Sequence, residues 1–234
     1  MRDLDRRRAS SIAVPGLIRR CACAKFIEKE NGVMILHHAK GSCSLGILVL
    51  IEELGIDCEV RYVDLPGGEQ RTPEFLAINP KGKVPALIRD DGQLITEWPA
   101  IASYLAALKP ERQLLPADPL GLARVLEAVE YVVSTMHMQG FSRIVRPENF
   151  CPDRDQAEHV KERGLEIFRS GFDLFDRVLE DRPFVAGSFS IADAALFYAE
   201  WWMVNRLDGR LPRNCGAHYE RLMDRAAVRR ALDR

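Results

Sequence analysis

A short apolar run that passes through a turn into an amphipathic segment places the strongest constraint on how this chain folds. Residues 33–36 are all apolar and are typical of a β-strand. After the turn, apolar side chains recur at helical spacing, at Leu45, Leu48, Ile51 and Leu54. Cys43 lies in the turn, so a thiol is predicted at the connection between a strand and the start of a helix.

The predicted position of Cys43 favours a thiolate. The first amides of a helix have no intrahelical partners and the helix dipole is positive there, so an anion is stabilised at this point. An ordinary thiol has a pKa near ~8.5, and lowering it by one unit takes about 1.4 kcal/mol. We therefore expect the pKa of a thiol at this turn to be lowered.

The following segments extend the pattern to an α/β domain. Residues 58–65 alternate as a strand does and are expected to pair parallel to the first strand through a right-handed crossover. Two further strands, the second over residues 93–95, surround a turn at 90–92. Pro99 then lies in the first turn of a helix, where a missing N–H costs nothing. The predicted order is βαβ followed by ββα.

Two motifs in combination resemble those of the glutathione transferases. They are Asn-Pro-Lys-Gly-Lys-Val-Pro-Ala-Leu at residues 79–87 and Ile-Thr-Glu-Trp-Pro-Ala-Ile-Ala-Ser-Tyr-Leu at residues 95–105. Gly-Ser-Cys-Ser-Leu at 41–45 and Met-His-Met-Gln-Gly-Phe at 136–141 resemble the bacterial beta class of that family. The resemblance implies an α/β plus all-α fold, in which a thioredoxin-like N-terminal domain precedes an all-helical C-terminal domain. It also implies glutathione as co-substrate.

Composition limits the partners. The chain has 234 residues, and its formal net charge of -1 gives no reason to expect nucleic acid or an acidic membrane surface. No apolar run approaches the ~18–20 residues that span a bilayer. The six cysteines show no metal or redox spacing. We therefore expect a soluble, cytoplasmic protein that binds no metal.

Changes in composition along the chain predict its domain boundaries. Residues 1–33 mix arginines with Ser, Pro and Gly and have no periodic apolar face, which predicts a disordered extension. The thioredoxin-like domain is expected over residues 34–110, a proline-bounded linker over 111–118 and the helical domain over 119–234.

The helical domain is predicted to begin with a long apolar stripe from Leu122 to Met136. Ser190 and Asp193 have the spacing of a capping box, which assigns Asp193 to starting a helix rather than to chemistry. Further helices are expected over residues 155–179, 191–204 and 217–225.

The resemblance implies how glutathione binds. A cis peptide bond before Pro85 would leave the backbone of Val84 free to pair with the cysteinyl part, and Glu97 would bind the γ-glutamyl amino group. Relatives have Ser after this Glu, whereas this chain has Trp98, whose backbone amide can still hold a carboxylate. The indole of Trp98 either packs between the domains or contacts the ligand. The predicted glutathione-binding residues are Lys83, Val84, Pro85, Glu97, Trp98 and Arg71.

The resemblance also implies three catalytic residues. Cys43 would abut the glutathione sulfur, and His137 would supply the active-site histidine on the first long helix of the second domain. Alternatively, the hydroxyl of Ser42 or Ser44 rather than Cys43 would contact the glutathione sulfur and donate to its thiolate, as in the serine-type classes. Helix amides and His137 are expected to lower the thiol pKa, and the thiolate would attack a small hydrophobic electrophile in detoxification.

Two other functions remain open on the sequence. A glutathione-dependent disulfide reductase would form a mixed disulfide at Cys43. A non-catalytic ligand-binding protein would fit the replacement of the usual Ser by Trp98. The sequence does not identify the electrophile. The resemblance implies a homodimer.

Overall fold

A computed structural model describes residues 32–151 and 153–234. The expectation of a disordered extension over residues 1–33 lies outside this part of the chain, apart from its last two residues. No helix in the described ranges combines the length and the apolar character needed to cross a bilayer.

The N-terminal domain is a four-stranded mixed sheet with the strand order β2-β1-β3-β4. β1 pairs parallel to β2 and antiparallel to β3, which pairs antiparallel to β4. The predicted βαβ–ββα order and thioredoxin-like fold are confirmed. The elements are β1 (Met34–His38), α1 (Ser44–Leu54), β2 (Cys58–Tyr62), α2 (Pro73–Ile78), β3 (Ala86–Ile88), β4 (Leu94–Thr96) and α3 (Trp98–Leu108).

The first strand extends further than the apolar run predicted. The parallel pairing with β2 continues through His37 to His38, which lies opposite Tyr62. Both histidines therefore belong to β1 rather than to the turn. Each is almost fully buried. The apolar pattern stops before these two polar residues, whereas the backbone hydrogen bonds to β2 continue through them. The sequence therefore predicts a strand that is too short.

The C-terminal domain is all helical, as expected. Its helices are α4 (Pro119–Glu130), α5 (Ser142–Val145), α6 (Ala157–Val178), α7 (Ile191–Asn205), α8 (Arg213–Met223) and α9 (Ala226–Asp233). Short 3₁₀ turns lie at Glu69–Arg71, Pro110–Arg112, Pro147–Asn149 and Arg154–Gln156. The helix predicted over residues 217–225 is in fact the end of α8 and the turn before α9.

Between α4 and α5 the chain is π-helical over Tyr131–Phe141. The apolar stripe predicted an ordinary helix here, and the structure differs. The N–H of Ser142 bonds to the carbonyl of His137, the i→i+5 pattern of a π-helix. This segment packs closely on α6, since a Cβ at Gly171 would lie 2.4 Å from Cγ of Met136.

The two domains share one hydrophobic core, and α7 lies at its centre. Nearly every side chain from Ile191 to Trp202 is buried, and apolar residues of α1 and α3 belong to the same cluster. The last helix returns to the first domain, where Arg225 forms a two-pronged ion pair with Glu53 of α1. The shared core and this ion pair therefore join the two domains at two separate places.

The predicted capping box at the start of α7 is confirmed. The Asp193 carboxylate accepts from the Ser190 amide at 2.7 Å and also lies 3.2 Å from Nε2 of His218. Nδ1 of His218 lies 2.9 Å from the carboxylate of Glu200, and all three side chains are fully buried. Burial alone would lower the pKa of His218, but the two carboxylates outweigh it and raise this pKa to about 10.

Candidate active site

A cleft of about 620 Å³ lies between the two domains. The turn before α1, the loop before β3, the π-helical segment, α5 and the end of α7 line it. Six of the nine predicted site residues reach its wall, while Pro85, Glu97 and Trp98 do not. Those on the wall are Ser42, Cys43, Arg71, Lys83, Val84 and His137.

A larger cavity of about 1290 Å³ lies elsewhere, between the end of α3, the segment 113–118, α4 and α6. None of the predicted site residues lines it. The smaller cleft is the candidate active site because the nucleophile candidates, the backbone of Val84 and His137 converge there.

Two tryptophans hold the turn that carries Ser42 and Cys43. Nε1 of Trp202 donates to the carbonyl of Gly41 at 2.8 Å, and Nε1 of Trp98 donates to that of Cys43 at 3.0 Å. Trp98 is 3% exposed and is the first residue of α3. Its indole therefore packs inside the protein behind the turn, one of the two roles that the sequence left open.

The Cys43 thiol is not activated as its position at the helix start predicted. Its Sγ is directed to the carbonyl of Val84 at 3.7 Å, and the residue is 8% exposed. Burial raises the pKa of this thiol to about 12, and the opposing effects of the Cys43 and Ser44 amides and of Lys83 are smaller. The expectation of a lowered pKa is wrong because desolvation outweighs the helix amides.

His137 lines the cleft but carries no charge there. Its ring stands edge-on against Trp202 and Tyr198, with centroids 4.7 and 5.9 Å apart. Burial, followed by the charge of Lys83, lowers the pKa of His137 to about 4. At neutral pH the imidazole is therefore neutral and cannot lower a thiol pKa through a positive charge, which was the role expected of it.

The serine hydroxyls of the turn connect to His38, which is not among the predicted site residues. Oγ of Ser42 lies 2.6 Å from Oγ of Ser44, which lies 2.8 Å from Nδ1 of His38. Burial lowers the pKa of His38 to about 4. No pattern in the sequence predicts this contact, because it depends on how the turn folds β1 back onto the start of α1.

Val84, whose backbone is expected to bind glutathione, lies in the loop before β3 and lines the cleft. The Val84–Pro85 peptide is cis, as the resemblance implied. Glu97, just before α3, has φ 70° and ψ 128°, a region that costs a non-glycine residue about 1–3 kcal/mol. Strained residues of this kind concentrate at functional sites. The Glu97 carboxylate lies 2.6 Å from Nζ of Lys81, which lines the cleft.

The cleft is positively charged. Among the described residues that line it none is acidic, whereas five are basic: Arg71, Lys81, Lys83, Arg146 and Arg206. The guanidinium of Arg206 lies 5.1 Å from the centre of the Phe141 ring. Burial, and then the charge of Arg146, lower the pKa of Arg206. Anions are the ligands that this field favours.

The architecture defines a class of protein: a thioredoxin-like domain that presents a cis-proline loop and a polar turn to a helical domain across one cleft. Comparison with known proteins identifies the family. The family model described as glutathione S-transferase, N-terminal domain, matches residues 41–108, and that of the C-terminal domain matches residues 158–234. The chain belongs to the glutathione S-transferase family, and it is an enzyme that uses glutathione as co-substrate.

Three relatives illustrate the match. Glutathione S-transferase GstA of Escherichia coli O157:H7 is 32% identical over 203 residues, which cover 85% of this chain and 97% of the relative. A beta-class glutathione S-transferase of Sphingomonas chungbukensis is 30% identical with a TM-score of 0.71, covering 85% and 97% of the two chains. A glutathione transferase homologue from Sulfitobacter, solved with bound glutathione, is 29% identical with a TM-score of 0.80, covering 87% and 98%.

Proposed function

We propose that this enzyme joins the sulfur of glutathione to a small electrophile in the cleft between its domains. The observation that carries the proposal is the convergence of Ser42, the backbone of Val84 and His137 on one positively charged cleft. Glutathione carries two carboxylates and one ammonium group. Lys83 and Arg71 line the cleft and suit the carboxylates. Glu97 does not line it, but its carboxylate is 2.6 Å from Nζ of the lining residue Lys81, and it would exchange this partner for the ammonium group.

Glutathione binding and turnover test this proposal together. Calorimetric titration should show saturable binding, and a chlorodinitrobenzene should be converted to its glutathione thioether. Glu97→Gln should weaken glutathione binding about 10- to 100-fold, since a charge-assisted hydrogen bond contributes about 1.5–3 kcal/mol. It should not weaken an analogue that lacks the γ-glutamyl amino group. Glu127→Gln on α4 is the matched control. Binding without turnover would favour the non-catalytic ligand-binding function.

A disulfide reductase that uses Cys43 is the competing function. Its thiol lines the cleft, but a group with a pKa of about 12 is almost wholly protonated at neutral pH. This burial supports the transferase over the reductase. Rapid reduction of a glutathionylated peptide, with glutathione trapped on Cys43 as a mixed disulfide, would reverse that order.

The second substrate, we propose, is a small electrophile that bears a carboxylate. Its apolar part would lie against Met138, Phe141 and Phe150, which line the cleft on the helical side. Arg146 and Arg206 lie on that same side and do not appear in any ion pair of the described residues. Nη1 of Arg206 also donates to the carbonyl of Gly41 at 3.3 Å, but neither arginine is paired with a carboxylate of the described residues. Both would therefore bind a substrate carboxylate after glutathione has used the basic residues of the first domain.

A pair of matched electrophiles tests this substrate class. The enzyme should prefer a chloronitrobenzoate over the corresponding neutral ester. Arg206→Gln should lower that preference about 10- to 100-fold, through the same loss of about 1.5–3 kcal/mol. Arg124→Gln on the exposed face of α4 should leave it unchanged. Equal turnover of the acid and the ester by the wild-type enzyme would contradict the proposal.

We further expect a homodimer that acts in the cytoplasm in detoxification. Leu120, Leu126 and Leu174 are exposed on α4 and α6, with Leu120 68% exposed, and a partner subunit would cover such side chains. The four described cysteines are free thiols, which suits a reducing compartment. Light scattering should give twice the chain mass of 26.5 kDa. A monomeric mass would contradict the expected assembly.

A further inference from the structure

Three hydrogen-bonded side chains connect the buried end of β1 to the cleft. Nδ1 of His38 lies 2.8 Å from Oγ of Ser44, and that oxygen lies 2.6 Å from Oγ of Ser42. His38 is 3% exposed and Ser44 is fully buried. Of the three, only Ser42 lines the cleft.

The number of protons available in this row of hydrogen bonds limits which groups can donate and which can accept. A hydroxyl group donates once and accepts twice. Oγ of Ser44 accepts from the amide of Ala39 at 3.2 Å, which uses one of its two acceptor positions. Of its other two neighbours, His38 and Ser42, one must therefore donate to Ser44 and the other must accept from it.

Two arrangements satisfy this condition. In the first, Ser44 donates to His38 and Ser42 donates to Ser44, so the Ser42 proton is directed away from the cleft. In the second, His38 donates from Nδ1 to Ser44, and Ser44 donates to Ser42. Oγ of Ser42 already accepts from the amide of Ser44 at 3.2 Å, so both of its acceptor positions are filled and its own proton faces the cleft.

We propose that His38 is a positioning residue for the glutathione sulfur: with its proton on Nδ1, it turns the Ser42 hydroxyl toward the cleft to donate to the thiolate. This inference rests on the proposed function, since it requires glutathione in the cleft. A thiolate only accepts hydrogen bonds, so its arrival selects the second arrangement. The change moves one proton between the two nitrogens of His38 and rotates two hydroxyls, with no net transfer of charge.

The surroundings support this assignment. Burial keeps His38 neutral at physiological pH, so its ring has a single proton to place on one nitrogen or the other. The ring of Tyr62 stands edge-on against it, with centroids 5.7 Å apart. The neighbouring Cys43 thiol is directed to the carbonyl of Val84, which leaves Ser42 as the hydroxyl donor on this part of the wall.

The pKa of the bound glutathione thiol measures the proposed hydrogen bond directly. It is obtained by titrating the ultraviolet absorbance of the thiolate in the complex of the full-length protein, after subtracting the spectrum of the free protein. Wild type should lower this pKa below that of free glutathione. Ser42→Ala should raise it by about one to two units, as expected for one hydrogen bond to a charged group. His38→Leu should raise it by a similar amount.

Further variants separate positioning from a general structural effect. The Ser42→Ala/His38→Leu double variant should show no rise beyond that of Ser42→Ala, since both act through one hydrogen bond. His38→Asn places an amide near the former Nδ1 and should restore much of the shift. Ser44→Ala interrupts the same row of hydrogen bonds without a substitution in β1, although it also removes the acceptor of the Ala39 amide. His37→Leu is the matched control, because His37 is equally buried and adjacent on β1, yet its ring packs against Phe75.

The outcomes are distinct. A thiol pKa that stays at the wild-type value in both His38→Leu and Ser44→Ala would overturn the role of His38. An unchanged thiol pKa in Ser42→Ala would overturn the whole proposed row of hydrogen bonds from His38 to the glutathione sulfur. If His38→Leu does not fold, as judged by circular dichroism, Ser44→Ala and His38→Asn decide. Failure of the wild-type protein to bind glutathione would overturn the proposed function together with this inference, and it is recognised because no variant is needed to see it.

Discussion

Replacement of Trp98 tests whether this side chain holds the active-site turn in place. The indole donates to the carbonyl of Cys43 at 3.0 Å and packs against Tyr198 with ring centroids 5.8 Å apart. A Cβ added to Gly46 of α1 would lie 2.9 Å from Cζ2 of Trp98, so the ring is in direct contact with the first helix. Trp98→Phe removes the donor and keeps most of the ring, whereas Trp98→Ser introduces the residue that the family resemblance implies here but empties the site.

The structure gives the size of each effect. A buried hydrogen bond contributes about 1 kcal/mol, and the Cys43 carbonyl keeps a second donor in the amide of Gly46 at 3.1 Å. Trp98→Phe should therefore lower the free energy of unfolding by about 1–2 kcal/mol. Truncation of a buried tryptophan usually costs about 3–5 kcal/mol. With about 1 kcal/mol for the lost hydrogen bond, Trp98→Ser should lower the free energy of unfolding by about 4–6 kcal/mol.

Urea unfolding followed by circular dichroism measures both changes, and glutathione titration reports on the turn. Trp201→Phe is the comparison, since Trp201 is only partly buried on α7 and should change the unfolding free energy less than Trp98→Phe does. Both Trp98 variants should also weaken glutathione binding, because the turn loses a support. A free energy of unfolding for Trp98→Ser within about 1 kcal/mol of the wild-type value would be far below the cost of a large cavity. That result would refute the buried role of Trp98.

Three further results are expected. The raised pKa of His218 means that the folded state holds the His218 proton more tightly than the unfolded state does. The free energy of unfolding should therefore fall as pH rises from about 6.5 toward about 10. In His218→Gln the midpoint of urea unfolding should depend less on pH across that range. Cys43→Ala should keep turnover, whereas Ser42→Ala should lower kcat/KM about 10- to 100-fold; equal losses in steady-state assays would contradict this. Arg225→Ala should cost about 1–3 kcal/mol in urea unfolding, and the exposed Arg124→Ala about 0.5 or less.

The local order of the fold was readable from the sequence. Apolar periodicity, proline positions and turn residues predicted βαβ–ββα and the helical second half, because these signals act over a few residues. The capping box at Ser190 and Asp193 was readable for the same reason. The π-helical stretch was not, since its side chains repeat much as those of an α-helix do. The separate α9 was also missed.

The site was predictable in its members and not in their states. Six of nine predicted residues line the cleft, and all of these except Arg71 lie in motifs that resemble a family. The protonation of Cys43 and His137 came out opposite to expectation, because the pKa of each follows from burial by side chains far away in the chain. His38 escaped notice for a related reason, since its partner is defined by the turn.

The sequence by itself determined the succession of strands and helices, the family and the identity of most groups on the cleft wall. Only the tertiary structure decided which of these groups are desolvated, which donate and which accept. The reason is physical: propensities and caps are local, whereas burial and hydrogen-bond partners come from segments that are distant along the chain. The bond from Trp202 to Gly41, between residues 161 apart, shows how far such a partner lies.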